Sequence, residues 1–128
     1  MNLCREKWFR YFIYWWILGF VWAATIQSLY PEMVASHTDF GNAPGWQHEI
    51  AIWNVGMISV LIGILWSKVP LGKTVIPGLC VLFLLLGLNH LVNAINNPDK
   101  HGYAIVILNF VPLLAVGLVL FFTRDQTK

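Results

Sequence analysis

Charged residues divide the chain into four long apolar stretches joined by short polar segments. All fourteen Asp, Glu, Lys and Arg residues fall outside four runs, which are residues 11–31, 50–67, 74–98 and 102–123. The runs are continuous and lack the strict two-residue alternation of a membrane-barrel strand. A helix that crosses the hydrocarbon core needs about 20 mostly apolar residues. The pattern therefore predicts four transmembrane helices, at about 11–30, 48–67, 75–96 and 102–122.

Composition indicates an integral membrane protein with little chain outside the bilayer. The 128 residues are 58% hydrophobic and 11% charged, whereas soluble domains carry about 25% charged residues. Four spans joined by short connections predict an all-α fold, an antiparallel up-and-down bundle that forms a single membrane domain over residues 1–128. The first run lacks a small-x-small cleavage pattern, so we expect it to stay in the protein as a span.

Basic residues lie mostly on one side of the predicted bundle. Seven of the eight belong to the N-terminal segment, the 67–73 loop or the C-terminal tail, and the eighth is Lys100. Positive charge in short loops marks the cytoplasmic side, so we expect a multi-pass bacterial inner-membrane protein with both termini cytoplasmic. A net charge of +2 and scattered basic residues exclude a nucleic-acid interface. The expected partners are the lipid bilayer and either copies of this chain or a larger membrane complex.

Polar residues from three predicted spans fall at one depth in the outer half of the bundle. At a rise of about 1.5 Å per residue, Asn54 and His90 lie roughly 9 Å below the outer surface and Asn109 roughly 10 Å. Asn93 lies one turn above His90, and Gln27 can add to the layer from the first span. Polar groups in a bilayer mark either functional sites or hydrogen bonds between helices. Both alternatives stay open for His90, and interhelical bonding is favoured for Asn54 and Asn109.

Glu49 begins the second span in register with a small-residue face. Gly56 and Gly63 follow it at intervals of seven, with Ser59 between them. Small residues let another helix approach closely, and we expect this face to pack inside the bundle, with packing between copies as the alternative. Glu49 would then face a pocket as a proton acceptor, metal ligand or cation site, unless it only complements a helix N-terminus. The predicted ligand-binding residues are Glu49, Asn54, His90, Asn93 and Asn109.

The sequence supports neither a defined metal site nor a catalytic set. His48, Glu49 and His90 are suitable ligands for a borderline cation, but no HExxH or CxxC pair accompanies them. A bound metal and the identity of any cofactor therefore stay open. Cys80 and His90 lie about 15 Å apart along one helix, too far apart for nucleophile and base, and an enzyme is not favoured.

Short motifs in the second, third and fourth spans are similar to those of a known group of membrane proteins. His48-Glu49, Asn54-x-Gly56, Gly87-x-x-His90 and Asn109 resemble small bacterial four-helix families grouped loosely with DoxX-like proteins. The resemblance covers residues 46–120; Trp15-Trp16 and Asn96-Asn97-Pro98 depart from it. It implies the four-helix fold and points to Glu49, Asn54 and His90, but it implies no reaction.

Three functional hypotheses follow. The favoured one is an outward-facing intramembrane polar pocket that binds a small polar ligand, a lipid headgroup, a quinone or a metal ion. The second is a non-catalytic accessory subunit of a larger membrane complex, in which the polar layer only holds helices together. The third is a small proton-coupled transporter. The third is disfavoured because four-helix multidrug transporters carry a carboxylate in the first span, and here that span has no charge.

Overall fold

A computed structural model describes residues 3–36, 43–67, 69–96 and 103–123. These residues form six helices and no strand, which confirms the predicted all-α class. The helices are α1 (Leu3–Leu29), α2 (Pro31–Ser36), α3 (Pro44–Trp66), α4 (Leu71–Thr74), α5 (Ile76–Asn96) and α6 (Tyr103–Phe122). Four of them are long and apolar enough to cross a membrane, as predicted: Cys4–Leu29, Gly45–Trp66, Ile76–Asn96 and Tyr103–Phe122. The basic residues Lys68, Lys100, Arg124 and Lys128 lie outside the described residues.

Helix ends differ from the predicted span ends because apolarity marks the membrane-crossing part and not the whole helix. The charged N-terminal segment is already helical, so α1 begins at Leu3. Helix α3 begins at Pro44, a residue well suited to a first helical position because it has no N–H to leave unbonded. Two segments predicted as connections contain short helices, α2 and α4. Pro112 lies inside α6, which continues through it, and Pro77 is the second residue of α5.

The chain forms two compact units, the terminal unit (Met1–Phe12 with Val69–Lys128) and the central unit (Ile13–Lys68). In the terminal unit α5 packs along α6. The buried face of α5 includes Gly87 and Ala94, seven residues apart, and that of α6 includes Asn109 and Val116 at the same spacing. A Cβ atom on Gly87 would lie 3.0 Å from Phe110 Cε2 and 3.3 Å from Asn109 Cβ. The two helices approach this closely because Gly87 has no side chain.

The start of α1 is joined to α4 in the same unit. Glu6 Oε2 accepts a hydrogen bond from the Leu71 N–H at 3.2 Å. Phe9 and Leu71 are both fully buried, and Gly72 lies against the Phe9 ring. The Glu6 carboxylate thus satisfies a backbone donor at the first residue of α4, whose N-cap residue, Pro70, offers no side-chain hydrogen bond.

The central unit buries a stripe of each long helix. On α1 the stripe comprises Ile13, Trp16, Phe20 and Ala24, and on α3 it comprises Gln47, Ala51 and Leu61. Successive members are three or four residues apart on α1 and four or ten residues apart on α3, and these intervals keep each stripe on one side of its helix. Helix α2 packs on α3 and buries Ala35. Gln27 continues the α1 stripe and Asn54 continues the α3 stripe, which places both amides toward the packed side.

Large apolar side chains cover the remaining helix faces. Trp66 is 85% exposed and Phe122 is 71% exposed. Exposed apolar surface on this scale is rare on water-soluble monomers, whereas hydrocarbon solvates it without penalty. The exposed surface therefore supports the same conclusion as helix length: this is a multi-pass membrane protein.

Candidate functional site

Asn54 makes a hydrogen bond between two long helices. Its Nδ2 donates to Gln27 Oε1 at 2.8 Å, so α3 and α1 are joined inside the central unit. Both side chains are partly buried, where an amide without a partner would be costly. Interhelical bonding, the favoured interpretation of Asn54, is what the structure shows. Thr25 Oγ1 donates to the Val21 carbonyl of its own helix, at 2.7 Å.

This bond can be measured by a double-mutant cycle. We expect Asn54→Leu and Gln27→Leu each to lower the free energy of unfolding, and the double variant to lose less than the sum. The coupling should be about 0.6 kcal/mol, the average for polar side-chain pairs between membrane helices, and no more than about 1.7 kcal/mol, the largest such value. Reversible unfolding in mixed micelles of increasing SDS content gives the four values. Ser59→Ala is the control for loss of a polar group on α3, because among the described residues its hydroxyl bonds to the Val55 carbonyl of the same helix alone. Strictly additive losses for Asn54→Leu and Gln27→Leu would contradict the prediction.

A cleft of about 300 Å³ lies in the same unit, between the end of α1 and the start of α3. Its lining residues are Ser28, His48, Ala51, Ile52 and Val55. Three of these are apolar, while one hydroxyl and one imidazole supply the polar groups. The cleft shares Ala51 with the buried stripe of α3, and Ser28 follows Gln27 directly. The cleft and the Asn54–Gln27 bond therefore involve neighbouring residues of the same two helices.

Four of the residues that line the cleft were not among the predicted site residues. Ser28, Ala51, Ile52 and Val55 lack the charge or polarity that marks a candidate inside a span. The sequence analysis also did not predict that the amide side chain of Gln47 is buried; it is 2% exposed. The signal available for Gln47 was its seven-residue spacing from Asn54, which places two amides on one face of α3.

Within the central unit, Glu49 lies on the exposed side of α3. Glu49, Gly56 and Gly63 are all exposed, and no atom lies within 4 Å of where a Cβ on either glycine would be. Among the described residues, no helix of the central unit therefore packs on this face, and the expectation that the face packs inside the bundle stays a prediction. The buried stripe of α3 runs instead through Gln47, Ala51 and Leu61, well over 100° around the helix from Glu49 at 100° per residue. Whether Glu49 contacts a ligand stays a prediction.

Three predicted site residues belong to the terminal unit. Asn109 is buried against Gly87, and its Nδ2 donates to the Ile105 carbonyl of its own helix at 2.7 Å. That bond is within α6, whereas interhelical bonding had been favoured for this residue. His90 and Asn93 are half-buried on α5, about 60° apart around the helix. The side chains of His90 and Asn93 thus share the flank next to the buried face of α5.

The candidate metal ligands do not form a cluster in the described part of the chain. No group of three or more His, Cys, Asp or Glu side chains close enough to hold a metal occurs there. His48 and Glu49 are neighbours in sequence and point about 100° apart on α3. His37, Asp39, Asp99 and His101 lie outside the described residues.

The chain belongs to a family of unknown function. The family model DUF6790 matches residues 2–128, which is nearly the entire chain. Comparison with curated proteins and with solved structures gave no match. Membership supports a small helical membrane protein and assigns no activity, and the similarity to DoxX-like proteins stays a prediction.

Proposed function

We propose that this protein binds a small amphipathic molecule, with a headgroup of the quinone or lipid type, in the cleft of the central unit. The observation that carries the proposal is the composition of the cleft wall. Ala51, Ile52 and Val55 offer an apolar surface, and Ser28 and His48 offer groups that can hydrogen-bond. Small-molecule sites are mostly apolar clefts of about 300–1,000 Å³ with a few polar groups that fix orientation. A cleft at the lower end of that range suits one ring or headgroup.

The proposal places the cleft at the outer face of a bacterial inner membrane, with both termini cytoplasmic. The charge distribution of the loops supports this orientation. For the terminal unit we keep the sequence-based hypothesis as a separate proposal, in which His90, Asn93 and Asn109 contact a ligand. Glu49 is kept as a candidate contact of the exposed α3 face. His90→Ala and Glu49→Gln test these two proposals in detergent. Loss of ligand retention at unchanged thermal stability would support contact with a ligand, and a loss of thermal stability alone would indicate a packing role.

A pair of valine variants on one helix tests the cleft. We expect Val55→Trp to fill the cleft and to abolish retention of a small molecule, while Val60→Trp leaves retention unchanged. Val55 is 54% exposed and Val60 is 56% exposed, so the two variants add the same side chain at equal exposure, and only Val55 lines the cleft. Native mass spectrometry of protein extracted gently from its own membrane reports bound mass. The proposal fails if the wild type carries no small molecule, or if both variants keep it.

An accessory subunit is the second candidate function. The exposed face of α3 favours it, because Gly56, Ser59 and Gly63 are small and a neighbouring helix could approach their backbone closely. The same spectra separate the two functions. Foreign subunits retained on a chain without small-molecule mass would indicate an accessory role.

A further inference from the structure

Every Lys and Arg side chain among the described residues lies in one part of the terminal unit. Arg5, Lys7 and Arg10 occupy the first turns of α1, and Lys73 lies on α4. We call these four residues the cationic cluster. Glu6 lies among them and is the one carboxylate that the described residues of this unit contain. One carboxylate cannot balance four cations, so the cluster carries a surplus of positive charge.

Contacts between α1 and α4 hold the cationic cluster together. Glu6 Oε2 accepts a hydrogen bond from the Leu71 N–H at 3.2 Å. The buried Phe9 ring lies against Gly72, the residue before Lys73. The basic side chains of the two helices are therefore carried by one packed junction, and they do not depend on a loop for their positions.

The surplus charge is accessible at the surface of the unit. Lys7 and Lys73 are exposed, and Arg5 and Arg10 are half-buried. The Arg5 Nε atom has no hydrogen-bond partner among the described residues. At least two cations of the cluster thus face whatever surrounds this end of the protein.

Aromatic rings place the cationic cluster at the level of lipid headgroups. Trp8 and Tyr11 alternate with the cations along α1, are 48% and 51% exposed, and have ring centroids 5.8 Å apart in an edge-to-face arrangement. Rings of Trp and Tyr favour the interface between membrane and water. The uncharged part of α1 follows directly, with no Asp, Glu, Lys or Arg from Tyr11 to Leu29. The cluster therefore lies where a membrane span leaves the hydrocarbon.

We propose that the cationic cluster binds anionic phospholipid headgroups in preference to zwitterionic ones. Charge complementarity carries the proposal, because clusters of about four to eight Lys and Arg residues next to a span are typical of anionic-lipid binding. Guanidinium and ammonium groups donate charge-assisted hydrogen bonds to phosphate oxygens. A zwitterionic headgroup also has a phosphate, but its own ammonium group is repelled by the cluster. The inference concerns the terminal unit and does not rest on the cleft.

The test is a competition between two lipids that differ in headgroup alone. The protein in detergent is incubated with equal amounts of dioleoylphosphatidylglycerol and dioleoylphosphatidylcholine, and native mass spectrometry counts each lipid retained. We expect the anionic lipid to predominate on the wild type. Lys7→Gln and Lys73→Gln should each lower the ratio of anionic to zwitterionic lipid about fivefold, the contribution of one basic residue near an anionic surface.

Salt provides a second measurement that needs no variant. Raising the ionic strength from about 0.01 M to about 1 M shortens the Debye length from about 30 Å to about 3 Å. The preference of the wild type should fall steeply over this range. A preference that salt does not change would overturn the electrostatic basis of the proposal.

A charge-compensated variant separates the cationic cluster from the net charge of the protein. Glu32 is exposed on α2 in the central unit, so Glu32→Gln combined with Lys7→Gln restores the wild-type net charge of +2. The double variant should retain lipids as Lys7→Gln does. Recovery of the wild-type ratio would assign the preference to overall charge and overturn the proposal. Equal retention of the two lipids by the wild type would overturn it in favour of an acidic protein segment as the occupant.

Discussion

Replacing Gly87 with leucine is expected to destabilise the protein by about 1–3 kcal/mol, the usual cost of adding volume to a packed interface. A Cβ at this position would already lie 3.0 and 3.1 Å from two atoms of the Phe110 ring, closer than ordinary contact. The further carbons of leucine have no space unless α5 and α6 separate. Separation would also remove the cover from Asn109, which is 8% exposed and packs against Gly87. Gly87→Ala should cost less than Gly87→Leu, because only the Cβ has to be accommodated.

Gly78→Leu is the matched control for this prediction. Gly78 lies on the same helix, and no atom is within 4 Å of where its Cβ would be. Both substitutions gain the helix propensity that glycine lacks, about 0.5–1 kcal/mol. We therefore expect Gly78→Leu to be neutral or stabilising and Gly87→Leu to be destabilising. Unfolding in SDS mixed micelles gives both values, and equal midpoints for the two variants would show that close approach at Gly87 does not hold α5 against α6.

The four long helices were predictable because a membrane imposes a length and an apolar composition on each span. What the sequence could not specify was which side of each helix packs. Helix α3 buries Ala51 and Leu61 and exposes Trp53 and Val60, so apolar residues occupy both its packed and its exposed sides. Lipid is as apolar as leucine, and apolarity therefore carries little information about helix contacts in a bilayer.

The same limit applies to the face that carries Glu49. The spacing of Gly56 and Gly63 identifies a face that a helix could approach, and it does not say whether a helix is there. Polar residues inside a span were better indicators of helix contacts than the spacing of small residues. Asn54 was singled out as an intramembrane amide, and the structure pairs it with Gln27. The cleft of the central unit could not be found from sequence, because its apolar wall is made of residues that are ordinary in any span.

Gly72→Ala is expected to lower the free energy of unfolding by about 1–3 kcal/mol, although alanine is the better helix former. A Cβ on Gly72 would lie 2.7 Å from Phe9 Cε2, which is shorter than any tolerable carbon–carbon contact. The Phe9 ring is fully buried, so it cannot move aside without displacing the residues that cover it. Displacing α4 instead would stretch the bond between the Leu71 N–H and Glu6 Oε2. The added methyl therefore strains the junction between the start of α1 and α4.

Gly45→Ala is the control, because Gly45 is the second residue of α3 as Gly72 is of α4, and nothing lies within 4 Å of its Cβ position. We expect this control to be neutral or slightly stabilising. Phe9→Leu should then rescue Gly72→Ala in part, since leucine lacks the ring atom that clashes. On its own, Phe9→Leu destabilises by loss of packing, so the diagnostic quantity is a favourable coupling between the two substitutions in a double-mutant cycle. Additive losses would mean that Gly72 and Phe9 are not in contact, and the described junction of α1 with α4 would be wrong.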